Sequence, residues 1–173
     1  MVLIDLQKAF DTIDHKILLQ KLKCVGLSGS VISWIKSYLT NRITFVEIEG
    51  SQSLEKDFKC GVPQGSILGP LPFFIYINDM CQATNCDLLL YADDSCLTVT
   101  HEDIKVIEDI LNSNLSSLCD WLVDNKLSIH LGKTESILFG TRHLLSKASN
   151  LNINYCNNVI EQKCAVKYLG VTL

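Results

Sequence analysis

Two adjacent carboxylates, Asp93 and Asp94, follow directly on Leu88-Leu89-Leu90-Tyr91-Ala92 and precede Ser95-Cys96-Leu97. An apolar run of this kind must enter a core, whereas two neighbouring ions repel one another and lose hydration as the core approaches. Both demands are met when apolar strands return through a tight hairpin that carries the acids at its tip. A cation relieves the remaining repulsion, and hard divalent ions such as Mg²⁺ take carboxylate oxygens. Val2-Leu3-Ile4-Asp5-Leu6 has the same form, an apolar strand ending in a carboxylate. Three Asp on two buried strand ends predict a metal site suited to phosphate chemistry.

The chain has 173 residues, enough for one domain with a sizeable core, and its 47% hydrophobic and 20% charged content excludes a disordered tail. No basic stretch precedes Asp5, so no secretory signal is expected, and the longest apolar run (67–77) is short for a bilayer and carries two prolines. The expected setting is intracellular, nuclear or cytoplasmic, away from membranes. The eight cysteines contain no C-x-x-C pair, so they are expected to be buried small hydrophobes or free thiols in a reducing compartment. The net charge of −4 hides a pattern: residues 71–125 carry ten acids against Lys105 alone, between segments richer in Lys and Arg. That suits a metal centre beside a polyanion track, and equally a solvated acidic helix near 102–124.

Periodicity predicts a strand over 1–5 and an amphipathic helix over 14–25, with Ile17, Leu18, Leu22 and Val25 on one face and Gly26 ending it. Ser30 is expected to cap a second helix through Leu39, with Val31, Trp34, Ile35 and Tyr38 on its apolar face. Segments 43–49 and 52–60 flank Gly50-Ser51 as a hairpin, and a Gly/Pro loop over 60–69 leads into a helix from Pro70 to about Asp79. Strands over 88–91 and 96–100 embrace the Asp turn, a long helix covers 102–122, and further strands are expected over 136–139, 152–155 and 168–173. The fold class is α+β with a mainly antiparallel sheet.

Ile4-Asp5-Leu6-Gln7-Lys8-Ala9-Phe10-Asp11, Gly61-Val62-Pro63-Gln64-Gly65-Ser66, Leu68-Gly69-Pro70-Leu71, Tyr91-Ala92-Asp93-Asp94, Asn125-Lys126-Leu127, Lys133-Thr134 and Tyr168-Leu169-Gly170 occur in this order. Together they resemble the successive palm motifs of a reverse transcriptase, with wording closest to the LINE-type (non-long-terminal-repeat) retrotransposon enzymes. The resemblance implies a right-hand polymerase palm, an antiparallel sheet with helices packed on one face. It implies an RNA-directed DNA polymerase that joins a deoxynucleoside triphosphate to a primer 3′-hydroxyl, with an RNA template, a DNA primer and two Mg²⁺ ions, or Mn²⁺ in their place. Asp5 and Asp93 would be the principal metal ligands, Asp94 would support them, and Leu6 would join the metal and substrate positions. Lys133 would be the general acid for the departing pyrophosphate. Phe10 would be the aromatic gate beneath the incoming sugar; Pro63, Gln64 and Gly65 would lie against the templating base pair; and Tyr91 would be a further substrate contact.

Read without the resemblance, Phe10 is core packing, residues 61–66 are a Gly/Pro turn feeding a helix, and Lys133 is a surface lysine. Gly132-Lys133-Thr134 ends like a phosphate-binding P-loop, but that motif needs a glycine at position 127, where Leu stands. The resemblance further implies fingers ahead of Asp5 and a thumb after Gly170, so the expectation is a partial palm over 1–173 whose missing regions lie in a longer chain. The competing expectations are an inactive palm remnant that binds nucleic acid or protein and, with less support, another two-metal phosphoryl-transfer enzyme such as a nuclease.

Overall fold

A computed structural model describes residues 1–146 and 151–173. In chain order its main elements are β1 (Val2–Asp5), α1 (His15–Cys24), α2 (Gly29–Leu39), α3 (Pro70–Ile77), β2 (Asp87–Tyr91), β3 (Asp94–Thr98), α4 (Ile104–Asp124), β4 (Glu135–Ile137) and β5 (Glu161–Lys163). They fall into two compact units, Met1–Gln7 with Asp79–Leu173, and Lys8–Asn78.

The first unit is built on a five-stranded sheet in the order β5-β4-β1-β3-β2. All neighbours are antiparallel except β5, which runs parallel to β4, so the sheet is mixed. Val2, Leu3 and Ile4 are all buried, as a central strand covered on both faces requires. Leu3 gathers Cys96, Ile137 and Val166 on one face, with Met1 and Tyr168 packed against them. α4 buries Ile107, Leu111, Leu115, Leu118 and Leu122 at helical spacing. Asn114 interrupts that stripe without penalty: its side chain accepts from the Asn85 N–H at 2.6 Å and donates to the Ile110 carbonyl at 2.7 Å. Glu108 and Asn112, one turn apart on α4, dock the segment that leads to β5. The Asn152 N–H donates to Glu108 at 2.7 Å, and the Asn154 N–H donates to Asn112 at 2.8 Å.

Several expectations for this unit change. Glu161–Lys163 is a strand that alternation does not reveal, because it is short, polar and at a sheet edge. The strand expected over 168–173 is a hairpin, Lys167–Tyr168 against Val171–Thr172, turning at Leu169-Gly170 with φ of 48° and 84°. Only residues 154–155 of the segment 152–155 are extended, paired with Asn158–Val159. Two cysteines differ from the expectation: Cys119 is disulfide-bonded to Cys156, whereas Cys96 is buried and Cys24, Cys60, Cys81 and Cys164 are exposed and unbridged.

In the second unit, the Asp14 carboxylate caps α1 by accepting from the N–H groups of Lys16 and Ile17 at 2.8 and 3.1 Å. α2 begins after Ser28 and not at Ser30; Val31 and Trp34 stay exposed, and Leu39 is its one fully buried residue. The apolar face expected there is largely at the surface. The hairpin turns at Glu49-Gly50 instead of Gly50-Ser51, because both central residues adopt positive φ (50° and 79°) and Gly takes the second place. α3 buries Phe73, Tyr76 and Ile77, and a 3₁₀ turn over Asn78–Ala83 follows it.

The loop after Cys60 is clamped onto the start of the unit. The Gly61 N–H donates to the Ile13 carbonyl at 2.7 Å and the Val62 N–H to the Phe10 carbonyl at 2.9 Å. A Cβ at Gly61 would stand 2.7 Å from the Asp11 carbonyl oxygen, and its φ of 84° disfavours any side chain. Gly61→Ala is therefore expected to destabilise the protein by at least about 1–3 kcal/mol. Urea unfolding checks this, and an unchanged midpoint would show that the loop is not clamped.

Candidate active site

β1 and β3 are antiparallel in the register Leu3↔Cys96, Asp5↔Asp94. Residues two apart on a strand share a face, so Asp5 and Asp94 lie on the same face as the Leu3–Cys96 pair, directly opposite one another at the end of the sheet. β2 continues the row, with Tyr91 opposite Asp94. The β2–β3 hairpin turns through Ala92-Asp93 alone, and Ala92 takes a φ of 54°, a conformation that non-glycine residues rarely adopt. The tight turn thus places Asp93 beside the opposed pair. Asp94 is exposed, yet partial burial first, and then the charges of Asp93 and Asp5, push its carboxyl above the usual range.

Lys133 reaches the pair from the chain beyond α4. The His130 N–H donates to the Asp5 carbonyl at 2.8 Å, and the Lys133 N–H donates to the His130 carbonyl at 2.9 Å. Lys133 Nζ then stands 3.7 Å from Asp5 Oδ2. A cavity of about 200 Å³ opens here, lined by Asp5, Asp94, Ser95, Lys133, Lys167 and Tyr168. Lys167 has no counterpart in the sequence analysis, because nothing in a short polar segment announces that it borders this cavity. Ser95 Oγ is buried with no hydrogen-bond partner among the described residues. Tyr168 is held above its ordinary titration range, by burial first and by Cys96 and Asp94 after that.

The other expected site residues form a separate cluster inside the second unit. Phe10 stacks on Phe73 with ring centroids 4.2 Å apart and 27° between planes. Packing and pocket lining are both true of it, since Phe10, Pro63, Gln64, Gly65 and Ser66 border a cavity of about 450 Å³. Gln64 Nε2 donates to Asp11 Oδ1 at 2.9 Å. His15 Nε2 donates to the Gly61 carbonyl at 2.8 Å, and Ser66 Oγ donates to the Pro63 carbonyl at 2.8 Å. Leu6 belongs to the first unit; its side chain is buried and its main chain pairs with that of Ile129, so it can offer a ligand only through its main chain.

The family model described as "Reverse transcriptase (RNA-dependent DNA polymerase)" matches residues 1–173. The chain belongs to the reverse transcriptase family. Among curated relatives, the RNA-directed DNA polymerase from mobile element jockey of Drosophila melanogaster is 30% identical over 98% of this chain and 19% of its own length. The probable RNA-directed DNA polymerase from transposon X-element of the same fly is 29% identical over 98% of this chain and 19% of its own length. The Retrovirus-related Pol polyprotein from type-1 retrotransposable element R2 of Popillia japonica is 27% identical over 82% of the chain and 24% of its own length. The chain spans about a fifth of the length of these first relatives. No helix among the described residues is long and apolar enough to cross a membrane.

Reverse transcriptases as a family use divalent metals, so the carboxylate end must be compared with that need. Among the described residues no three His, Cys, Asp or Glu side chains converge closely enough to hold an ion unaided. Hard oxygens from Asp5, Asp94 and Asp93 are nonetheless the donors that Mg²⁺ takes, and Mg²⁺ commonly keeps water or substrate phosphates among its ligands. In donor chemistry the set fits a divalent ion.

Because Asp94 titrates high, metal-free protein is relieved by protonation and loses stability as pH rises through that raised titration. Asp94→Asn escapes the loss. Without divalent metal at pH 7 it should be more stable than the wild type by about 0.2–1 kcal/mol, the scale of one cross-strand charge pair. The gap should close toward acid pH, and Mg²⁺ should raise the wild-type melting temperature more than the variant's. Thermal melts at pH 4 and pH 7 decide it, and a less stable metal-free variant at pH 7 would contradict the repulsion.

Proposed function

We propose that the chain is the palm of an RNA-directed DNA polymerase, extending a DNA primer on an RNA template with deoxynucleoside triphosphates. The observation that carries this reading is the Asp5–Asp94 pair, opposed on neighbouring strands with Lys133 at 3.7 Å, in a chain matched to the family along its whole length. The names of the jockey and X-element relatives point the same way.

Asp5, Asp93 and Asp94, with the main chain of Leu6, would hold two Mg²⁺ ions, for which Mn²⁺ is the expected substitute. Bound there, the ions supply a lowered pKa at the primer hydroxyl and charge neutralisation at the triphosphate. The protein's own residues do the remainder. The cross-strand register sets the main chain of Asp5 opposite that of Asp94, which would contribute to the preorganisation that electrostatic catalysis needs. Lys133, 3.7 Å from Asp5, would deliver a proton to the departing pyrophosphate. Phe10, braced by Phe73, would form a flat floor beneath the sugar that a 2′-hydroxyl strikes. Pro63 and Gly65 would hold Gln64 against the templating base pair, and Tyr91, in the same row as Asp94, would contact the substrate from the sheet edge.

Primer extension on an RNA template, with the protein in its full-length form, tests the reading. Asp5→Asn and Asp94→Asn should each lower kcat by at least about 10³-fold, and Lys133→Ala by about 10²–10⁴-fold. Phe10→Ala should admit ribonucleotides. Nucleic-acid binding that survives the Asp variants with no extension in the wild type would identify a non-catalytic palm remnant, and cleavage without extension would identify a nuclease.

A further inference from the structure

Gln64 and Asp11 stand far apart in sequence yet meet at 2.9 Å, with the amide nitrogen of Gln64 donating to the Asp11 carboxylate. An ionised carboxylate only accepts, so this contact resolves which end of the carboxamide is which. The nitrogen is committed to Asp11. The oxygen takes no hydrogen bond from the described residues and belongs to a side chain that borders the cavity with Phe10 and Pro63. The geometry points to Asp11 as a positioning residue that fixes the Gln64 carboxamide, leaving its oxygen as the acceptor offered to the incoming deoxynucleotide. This inference rests on the reading of Gln64 as a substrate contact.

The surroundings hold the two main-chain segments that carry this exposed contact. A glutamine side chain has three rotors and is costly to order. Here both ends of the bond are held by main chain. Val62 and Gly61 donate to the carbonyls of Phe10 and Ile13 at 2.9 and 2.7 Å, and His15 holds the Gly61 carbonyl at 2.8 Å. Gly61 lies so close to the Asp11 main chain that no Cβ fits between them. The segment bearing Asp11 and the loop bearing Gln64 are therefore held in fixed register, so the hydrogen bond has only the two side chains to order.

A charge-conserving exchange of the pair tests this in the full-length protein, by the KM for a deoxynucleoside triphosphate in primer extension. Asp11→Asn alone lets the amide face either way and should raise KM about tenfold while kcat changes by less than about twofold. Gln64→Glu alone opposes two carboxylates and should be at least as harmful. Combined, the Asn amide donates to the new carboxylate, whose second oxygen is again an acceptor, and KM should return to within about threefold of wild type. A Gln64→Ala variant with unchanged KM would overturn the substrate reading and this inference with it. If Gln64→Ala raises KM but Asp11→Asn does not, or the exchange fails to rescue, only the positioning role falls. A readout independent of turnover is the ¹⁵N side-chain amide signal of Gln64 on adding dTTP and primer–template with Ca²⁺. A response in the wild type that is lost in Asp11→Asn upholds the inference even if the protein extends nothing; no response in the wild type overturns it.

Discussion

Two like charges held face to face across adjacent strands are the constraint on which the rest of the site depends. Nothing local favours Asp5 opposite Asp94; the register that puts them there comes from the burial of Val2, Leu3 and Ile4 against Cys96 and Leu97. A slip of one residue would break the packing of Leu3 with Cys96, Ile137 and Val166, so the apolar core fixes the acids in spite of their repulsion. The tight turn adds to this: Ala92 accepts an unfavourable φ so that Asp93 follows with no intervening residue. The core stabilises, and the sheet end that carries the acids is destabilised.

Lys133 reaches its place by main chain more than by charge. Its ion pair with Asp5 is partly exposed and contributes little by itself. The two hydrogen bonds through His130, to Asp5 on one side and from Lys133 on the other, set the approach of the segment. A lysine delivered in this way keeps its position when salt screens the pair, and remains free to exchange one anionic partner for another.

Much of this was legible in the residues. Unbroken apolar runs ending in Asp marked β1 and the β2–β3 hairpin, Asp14 marked a helix start, and the i, i+3/i+4 repeat of α4 needed no context. What escaped was decided by partners distant in sequence. β5 is Glu-Gln-Lys and becomes a strand only because β4 offers it a free edge. The two late turns, at Glu49-Gly50 and Leu169-Gly170, were displaced or missed because a non-glycine residue takes left-handed φ ahead of each glycine. The apolar face of α2 promised burial that most of it does not receive within this chain. At the site, the motif order brought Asp5, Asp94 and Lys133 to notice, and the geometry puts them side by side. Asp11 stood in the first motif without a role, since a hydrogen bond to a residue far along the chain leaves no periodic trace.

Gly61 and Gly65 bracket the same short loop and look equivalent on paper, but they are glycines for unlike reasons. Both have left-handed φ, yet a Cβ at Gly65 would meet nothing within 4 Å, whereas at Gly61 it would strike the backbone of Asp11. Within the chain itself the demand at Gly65 is one of dihedral angle, which asparagine can meet at modest cost. The demand at Gly61 is one of volume, which no side chain meets. As sequences of this kind drift apart, position 65 has somewhere to go and position 61 has nowhere.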